Sequence, residues 1–175
     1  MATVTKETLE KARELFAPVE GSRLDTQLSK AFTSADKLER LNARNRELMR
    51  ARNAADNFMN RLANYQIDPH RDDLLEQVKQ AQATQAATSA VMAPMRTMIV
   101  QAENKYNADA LAAHNVAKLI SDALYDAKVQ GNTMRLAQRL TKYCGHDDPA
   151  KLDLVKDIEK LANAPTGRRR VAATV

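Results

Sequence analysis

Tryptophan is absent from the chain, and its 175 residues include only 4 glycines, 5 prolines, 3 phenylalanines and 4 tyrosines. What remains is dominated by Ala, Leu, Lys, Arg, Gln and Glu, the strongest helix formers. With so few aromatics, a core has to be built from Leu, Ala, Met and Ile, which suits thin helix–helix seams better than a thick globular centre. The single cysteine, Cys144, excludes an internal disulfide and a cysteine-based zinc site. The four glycines are unclustered, so no glycine-rich phosphate loop is available.

Long apolar runs are missing as well. The longest uncharged stretch, Gln80 to Met95, covers 16 residues and is rich in Gln, Thr and Ser, well short of a membrane span. The first residues lead into charged helical sequence without the apolar region of a signal peptide, so the expected location is the cytoplasm or, for a viral protein, the virion. Net charge is +5, and Arg168, Arg169 and Arg170 alone supply three of those charges. A body left at +2 lacks the general electrostatic footprint of a nucleic-acid coat, which confines any such role to local patches.

Glycine and proline punctuate the chain into blocks. Leu9, Ala12, Leu15 and Phe16 form the apolar stripe of a first short helix ended by Pro18 and Gly21. From Ser22 to Asp68, 47 residues contain neither Gly nor Pro, which predicts one long helix over about 22–66. If about 42 of those residues are helical, the helix is roughly 60 Å long. Asp68-Pro69 reads as a cap followed by a proline start, and a second long arm is predicted over about 69–130, kinked by Pro94 and stopped by Gly131. Leu74, Leu75, Val78, Ala81 and Gln85 are expected inward, followed by a stripe through Met95, Met98, Ile99, Ala102 and onward to Leu124. Asn132 or Thr133 is expected to cap a short helix carrying Leu136, Leu140 and Tyr143. Asp148-Pro149 is expected to start a last one carrying Leu152, Val155, Ile158 and Leu161.

The expected architecture is therefore all-α: an elongated helical bundle or coiled-coil hairpin. Its segments are a short N-terminal helix (1–21), a long hairpin (22–130), a C-terminal helical pair (131–163) and a basic tail (164–175).

Three constellations bear on chemistry. Cys144-Gly145-His146-Asp147-Asp148 brings a thiol, an imidazole and two carboxylates into one turn, the residue types of nucleophilic catalysis. The capping rules explain it more simply, with Cys144 ending a helix, Gly145 as left-handed cap and Asp148 capping the next helix. The residues three before His70, His114 and His146 are Ile67, Leu111 and Tyr143, so the Glu-x-x-His pairs of a bundle metal site are missing. Neither catalytic nor metal residues are assigned, and no cofactor or small-molecule substrate is implied.

Arg40, Arg44, Arg46, Arg50 and Arg52 are interrupted by only one acid, Glu47, and i, i+4 arginines can track a phosphate backbone. A solvated helix face is the plainer account. Together with Arg168, Arg169 and Arg170 they are the candidate nucleic-acid or partner contacts. Leu24, Leu28, Leu38, Leu41, Leu48, Phe58 and Leu62 form the candidate helix–helix interface, and the six asparagines of the long helix raise the prospect of a polar group that fixes register.

The function expected is that of a non-enzymatic structural protein forming helical contacts in a homo-oligomer or larger assembly, a virion or mobile-element component being one example. A DNA- or RNA-binding accessory protein using the arginines and tail is the alternative. A helical chaperone or adaptor is the third class.

Overall fold

In the computed structural model, residues 4–64, 72–131 and 133–163 are described, and they are almost entirely helical with no strand among them. The predicted basic tail, the Asp68-Pro69 start, Tyr65, His70 and Asn132 lie outside the described residues.

The first helix, α1 (Lys6–Phe16), is capped by Thr5, whose Oγ1 accepts from the Thr8 N–H at 3.3 Å. It ends on Ala17, a non-glycine residue in the left-handed region at φ 38°, whose N–H donates to the Arg13 carbonyl at 2.9 Å. The following Pro18 disfavours the right-handed helical conformation at Ala17, which accounts for the stop one residue before the proline.

The second helix, α2 (Arg23–Ala63), is continuous over 41 residues, as the 47-residue span free of Gly and Pro predicts. Ser22 and Asp25 both take up backbone donors at its start. The Asp25 N–H donates to Ser22 Oγ at 3.3 Å, and the Asp25 carboxylate accepts from the Gly21 N–H at 3.0 Å. The third helix, α3 (Asp72–Gln130), runs 59 residues through Pro94 without a break and stops at Gly131, φ 70°, whose N–H donates to the Ala127 carbonyl at 2.8 Å.

The C-terminal segment is less regular than the sequence suggests. A six-residue α4 (Met134–Arg139) passes into a π-helical turn (Leu140–Cys144) closed by Gly145 at φ 73°. Thr133 makes no capping bond with its side chain, because its hydroxyl donates instead to Glu159 at 3.2 Å. Nor does the Asp148 side chain cap a helix. Residues Pro149–Lys151 form only a 3-10 turn, and α5 (Asp153–Asn163) starts after it.

The chain divides into two compact units. One draws on residues up to Lys30 and from Asp109 onwards; the other is residues 31–108. The largest side chains buried to under 2% exposure, Leu9, Phe16, Leu24, Leu28, Ile120, Leu136, Leu140, Val155 and Cys144, all belong to the first unit. Two hydrogen bonds join its N- and C-terminal parts: the Val19 N–H donates to the Cys144 carbonyl at 2.8 Å, and the Phe16 carbonyl accepts from the His146 side chain, Nε2, at 3.0 Å. A Cβ on Gly145 would come within 3.2 Å of the Ser22 Cβ, so both its left-handed backbone and this close approach select glycine.

The second unit is an antiparallel hairpin of α2 residues 31–63 on α3 residues 72–108. Asp56 meets Gln85, Arg52 meets Met92, and Leu41 lies by Gln101, so partners run in opposite directions along the two helices. Its buried residues are mostly small or flexible: Ala31, Ser34, Ala55, Ala81, Thr88, Met92, Met95 and Ala102, with Leu74. Leu75, expected inward, is 58% exposed. It lies about 100° round the helix from Leu74, and only one of two adjacent residues can take the inward position.

Candidate functional site

The hairpin seam is where the sequence places a helix–helix interface. Leu24 and Leu28 belong to the core of the first unit and are fully buried there. The remaining five, Leu38, Leu41, Leu48, Phe58 and Leu62, lie in the hairpin unit and are only half-buried. Leu38, Leu41, Leu48 and Leu62 continue the three- and four-residue spacing of the buried Ala31, Ser34 and Ala55, so they face the same seam without being fully covered by it. On α3, Val91, Met98 and Val100 are exposed.

Polar cross-links fix the register of the hairpin. Gln85 Nε2 donates to Asp56 Oδ1 at 2.7 Å, Arg52 Nε lies 3.5 Å from the other Asp56 oxygen, and Arg52 Nη1 is 3.4 Å from the Met92 sulfur. Thr88 satisfies its own hydroxyl by donating to the Thr84 carbonyl at 2.7 Å, a local solution for a buried polar residue. Asn45, one of the five asparagines of α2, has a buried Oδ1 with no hydrogen-bond donor among the described residues. Elsewhere in the hairpin a cleft of about 250 Å³ is lined by Ser34, Lys37, Leu41, Met98, Gln101 and Lys105.

The candidate arginines do not form one stripe. At about 100° per residue, Arg40 and Arg44 share one row, while Arg46 and Arg50 form a second row roughly 120° away. Arg44 pairs with Glu47 at 3.5 Å, and Arg52 turns to the seam through Asp56 and Met92. Arg40, Arg46 and Arg50 are exposed and make no ion pair among the described residues. Arg168, Arg169 and Arg170 lie outside the described residues.

A cationic cluster that the sequence reading missed surrounds Tyr143. Arg23, Arg139 and Lys142 each lie 5.5–5.6 Å from the centroid of its buried ring, and Arg139 Nη1 donates to the phenol oxygen at 3.1 Å. The i, i+4 spacing of Arg139 and Tyr143 was a usable local signal; the approach of Arg23, more than a hundred residues earlier, was not. In the same unit, α1 and α3 leave a cleft of about 370 Å³ over Leu9 and Phe16, edged by Lys11, His114 and Lys118.

The Cys144 turn brings no reactive constellation together. Cys144 is fully buried, and burial pushes its thiol up to about 11. A thiol protonated at neutral pH is a poor nucleophile, and the His146 ring is engaged by the Phe16 carbonyl. Gly145 is the left-handed cap that the sequence suggests.

Cys144 should make stability fall at high pH. The folded protein holds the thiol neutral, whereas the unfolded chain ionises from pH 9.0, so unfolding gains free energy as pH rises from 9.0 to about 11. Two pH units correspond to about 2–3 kcal/mol. The stability advantage of the native protein over Cys144→Ala should shrink by up to that amount between pH 8 and 11 in urea titrations. An unchanged difference would place the thiol in contact with water.

Among the described residues no three His, Cys, Asp or Glu side chains converge to hold a metal ion, and no helix is long and apolar enough to cross a membrane. No protein-family model, curated protein or solved structure matches the chain.

Proposed function

We propose that this chain is a non-enzymatic assembly protein whose hairpin supplies helical contacts within a larger homo- or hetero-oligomeric complex. The observation that carries this reading is the unequal burial of the two units. Among the described residues, every large side chain buried to under 2% lies in the first unit, while Leu38, Leu41, Leu48, Phe58 and Leu62 of the hairpin remain half-buried. Two helices share a single seam and cannot cover both flanks of it. A further helix laid along the groove would cover the large apolar groups that the alanines leave unburied, at roughly 25 cal/mol per Å² of apolar surface removed from water.

Light scattering coupled to size-exclusion chromatography, with and without nucleic acid, tests the reading. The native chain should elute as an oligomer without nucleic acid. The variant Val91→Glu/Met98→Glu should lose that state with little change in helicity or monomer stability, because both positions are exposed. A monomer at micromolar concentration, with a melting temperature independent of concentration, would refute the proposal.

The rival role, a nucleic-acid accessory protein, draws on Arg40, Arg46 and Arg50, which are exposed and make no ion pair among the described residues. Under it, Arg40→Gln/Arg46→Gln/Arg50→Gln should weaken binding to all sequences alike and flatten the salt dependence by up to about three charges. Deleting residues 165–175 separates the two roles further: assembly should suffer and nucleic-acid affinity should not.

A further inference from the structure

Within the first unit, α3 packs through Ala113, Val116, Ile120, Ala123 and Ala127, all buried. A helix buried along one stripe ordinarily carries polar residues on the opposite one. Here the opposite stripe consists of Leu111, Asn115, Lys118, Asp122, Tyr125 and Val129, with Leu111 51%, Tyr125 69% and Val129 65% exposed. Their spacing alternates strictly between four and three residues, the period that keeps a seam facing a partner helix.

The stripe is also self-complementary. Reflection about Ile120 exchanges Leu111 with Val129, Asn115 with Tyr125 and Lys118 with Asp122. A second copy of α3 laid antiparallel, with a two-fold axis at Ile120, therefore sets apolar against apolar at both ends. It sets amide against phenol in the next layers and lysine against aspartate twice across the axis. A two-fold contact needs this kind of pattern, since each patch must complement itself. Lys118 and Asp122 are available for it: both are exposed, and although four residues apart they form no ion pair with each other or with another described residue.

We propose that this face of α3, from Leu111 to Val129, is an antiparallel homodimer interface with a second copy of the chain as its occupant. The inference deepens the assembly reading but uses a surface separate from the hairpin seam. Six positions span about 27 Å of helix, a small contact that gives a weak and reversible dimer.

Sedimentation equilibrium of the full chain tests it through charge exchange. Asp122→Lys brings lysines 118 and 122 of both copies together and should weaken dimerisation at least about ten-fold, since like charges across an interface are strongly unfavourable. Lys118→Asp/Asp122→Lys reverses both charges, keeps the complementarity and should recover the native dissociation constant. Val129→Lys should weaken it as well. Circular dichroism should show unchanged helicity in each case, because every substituted residue is exposed. A chain monomeric at 100 μM or so, or an Asp122→Lys dimer as tight as the native one, overturns the proposal; so does a double variant as weak as the single. If association survives Asp122→Lys and disappears in Val91→Glu/Met98→Glu, the hairpin reading stands and this one fails. The converse pattern fails the hairpin reading alone.

Discussion

Replacing Phe16 by alanine should lower the unfolding free energy by about 3–5 kcal/mol, the cost of emptying a large buried aromatic site. Phe16 is 2% exposed and lies in the unit that holds the large core side chains. The residue also anchors the loop behind it, as its carbonyl accepts from His146 and the chain then passes through left-handed Ala17 to the Val19–Cys144 bond. Leu15→Ala, one position away and 48% exposed, is the internal control and should change stability far less. Urea denaturation of both variants gives the comparison. A loss at Phe16 no larger than at Leu15 would mean that α1 does not pack into the core.

Leu38→Pro should cost ~3 kcal/mol or more, because a proline there removes the N–H bond to Ser34 and drives its ring against that carbonyl. Position 38 lies well inside α2, far from an end where the missing donor would be harmless. Hydrogen exchange should show the damage concentrated in the hairpin, whose seam offers few large buried groups to hold a broken helix in place. Leu38→Ala should retain helicity. An unchanged far-ultraviolet spectrum in the proline variant would be incompatible with a continuous α2.

Much of the helical framework was legible because its signals are local. The absence of Gly and Pro from Ser22 onwards gives α2, Gly131 gives the end of α3, and Pro94, expected to kink the second arm, lies inside one continuous helix. The Ser22–Asp25 cap at the start of α2 was not among the signals read from the sequence. Tertiary competition decided the rest. Thr133 gave its hydroxyl to Glu159 instead of a helix end, and Leu74 displaced Leu75 from the seam. Nothing local marks a π-helical turn at Leu140–Cys144.

The candidate surfaces were less legible, for a physical reason. An apolar stripe names a face, but how deeply it is buried depends on what packs against it. Leu24 and Leu41 read alike in sequence and differ because the first lies in the core of one unit and the second in the seam of a two-helix hairpin, which covers it only partly. The arginines failed as a stripe because i, i+4 pairs offset by six residues fall on different rows. Tyr143 escaped notice because one of its three cations comes from the start of α2.

The composition of the first unit, built from residues up to Lys30 and from Asp109 onwards, also dictates an order of events during synthesis. Leu9, Phe16, Leu24 and Leu28 leave the ribosome long before Ile120, Leu136, Leu140 and Val155, the side chains they are buried with. The emerging N-terminal segment therefore has an apolar face and no partner until most of the chain has been made. Residues 31–108 can pair with each other first, and in doing so they draw the two distant ends together and shorten the loop whose closure entropy opposes the remaining contacts. Helix breakers in the hairpin should thus slow folding of a unit they do not touch, and the exposed nascent segment is the point at which a holding chaperone would engage.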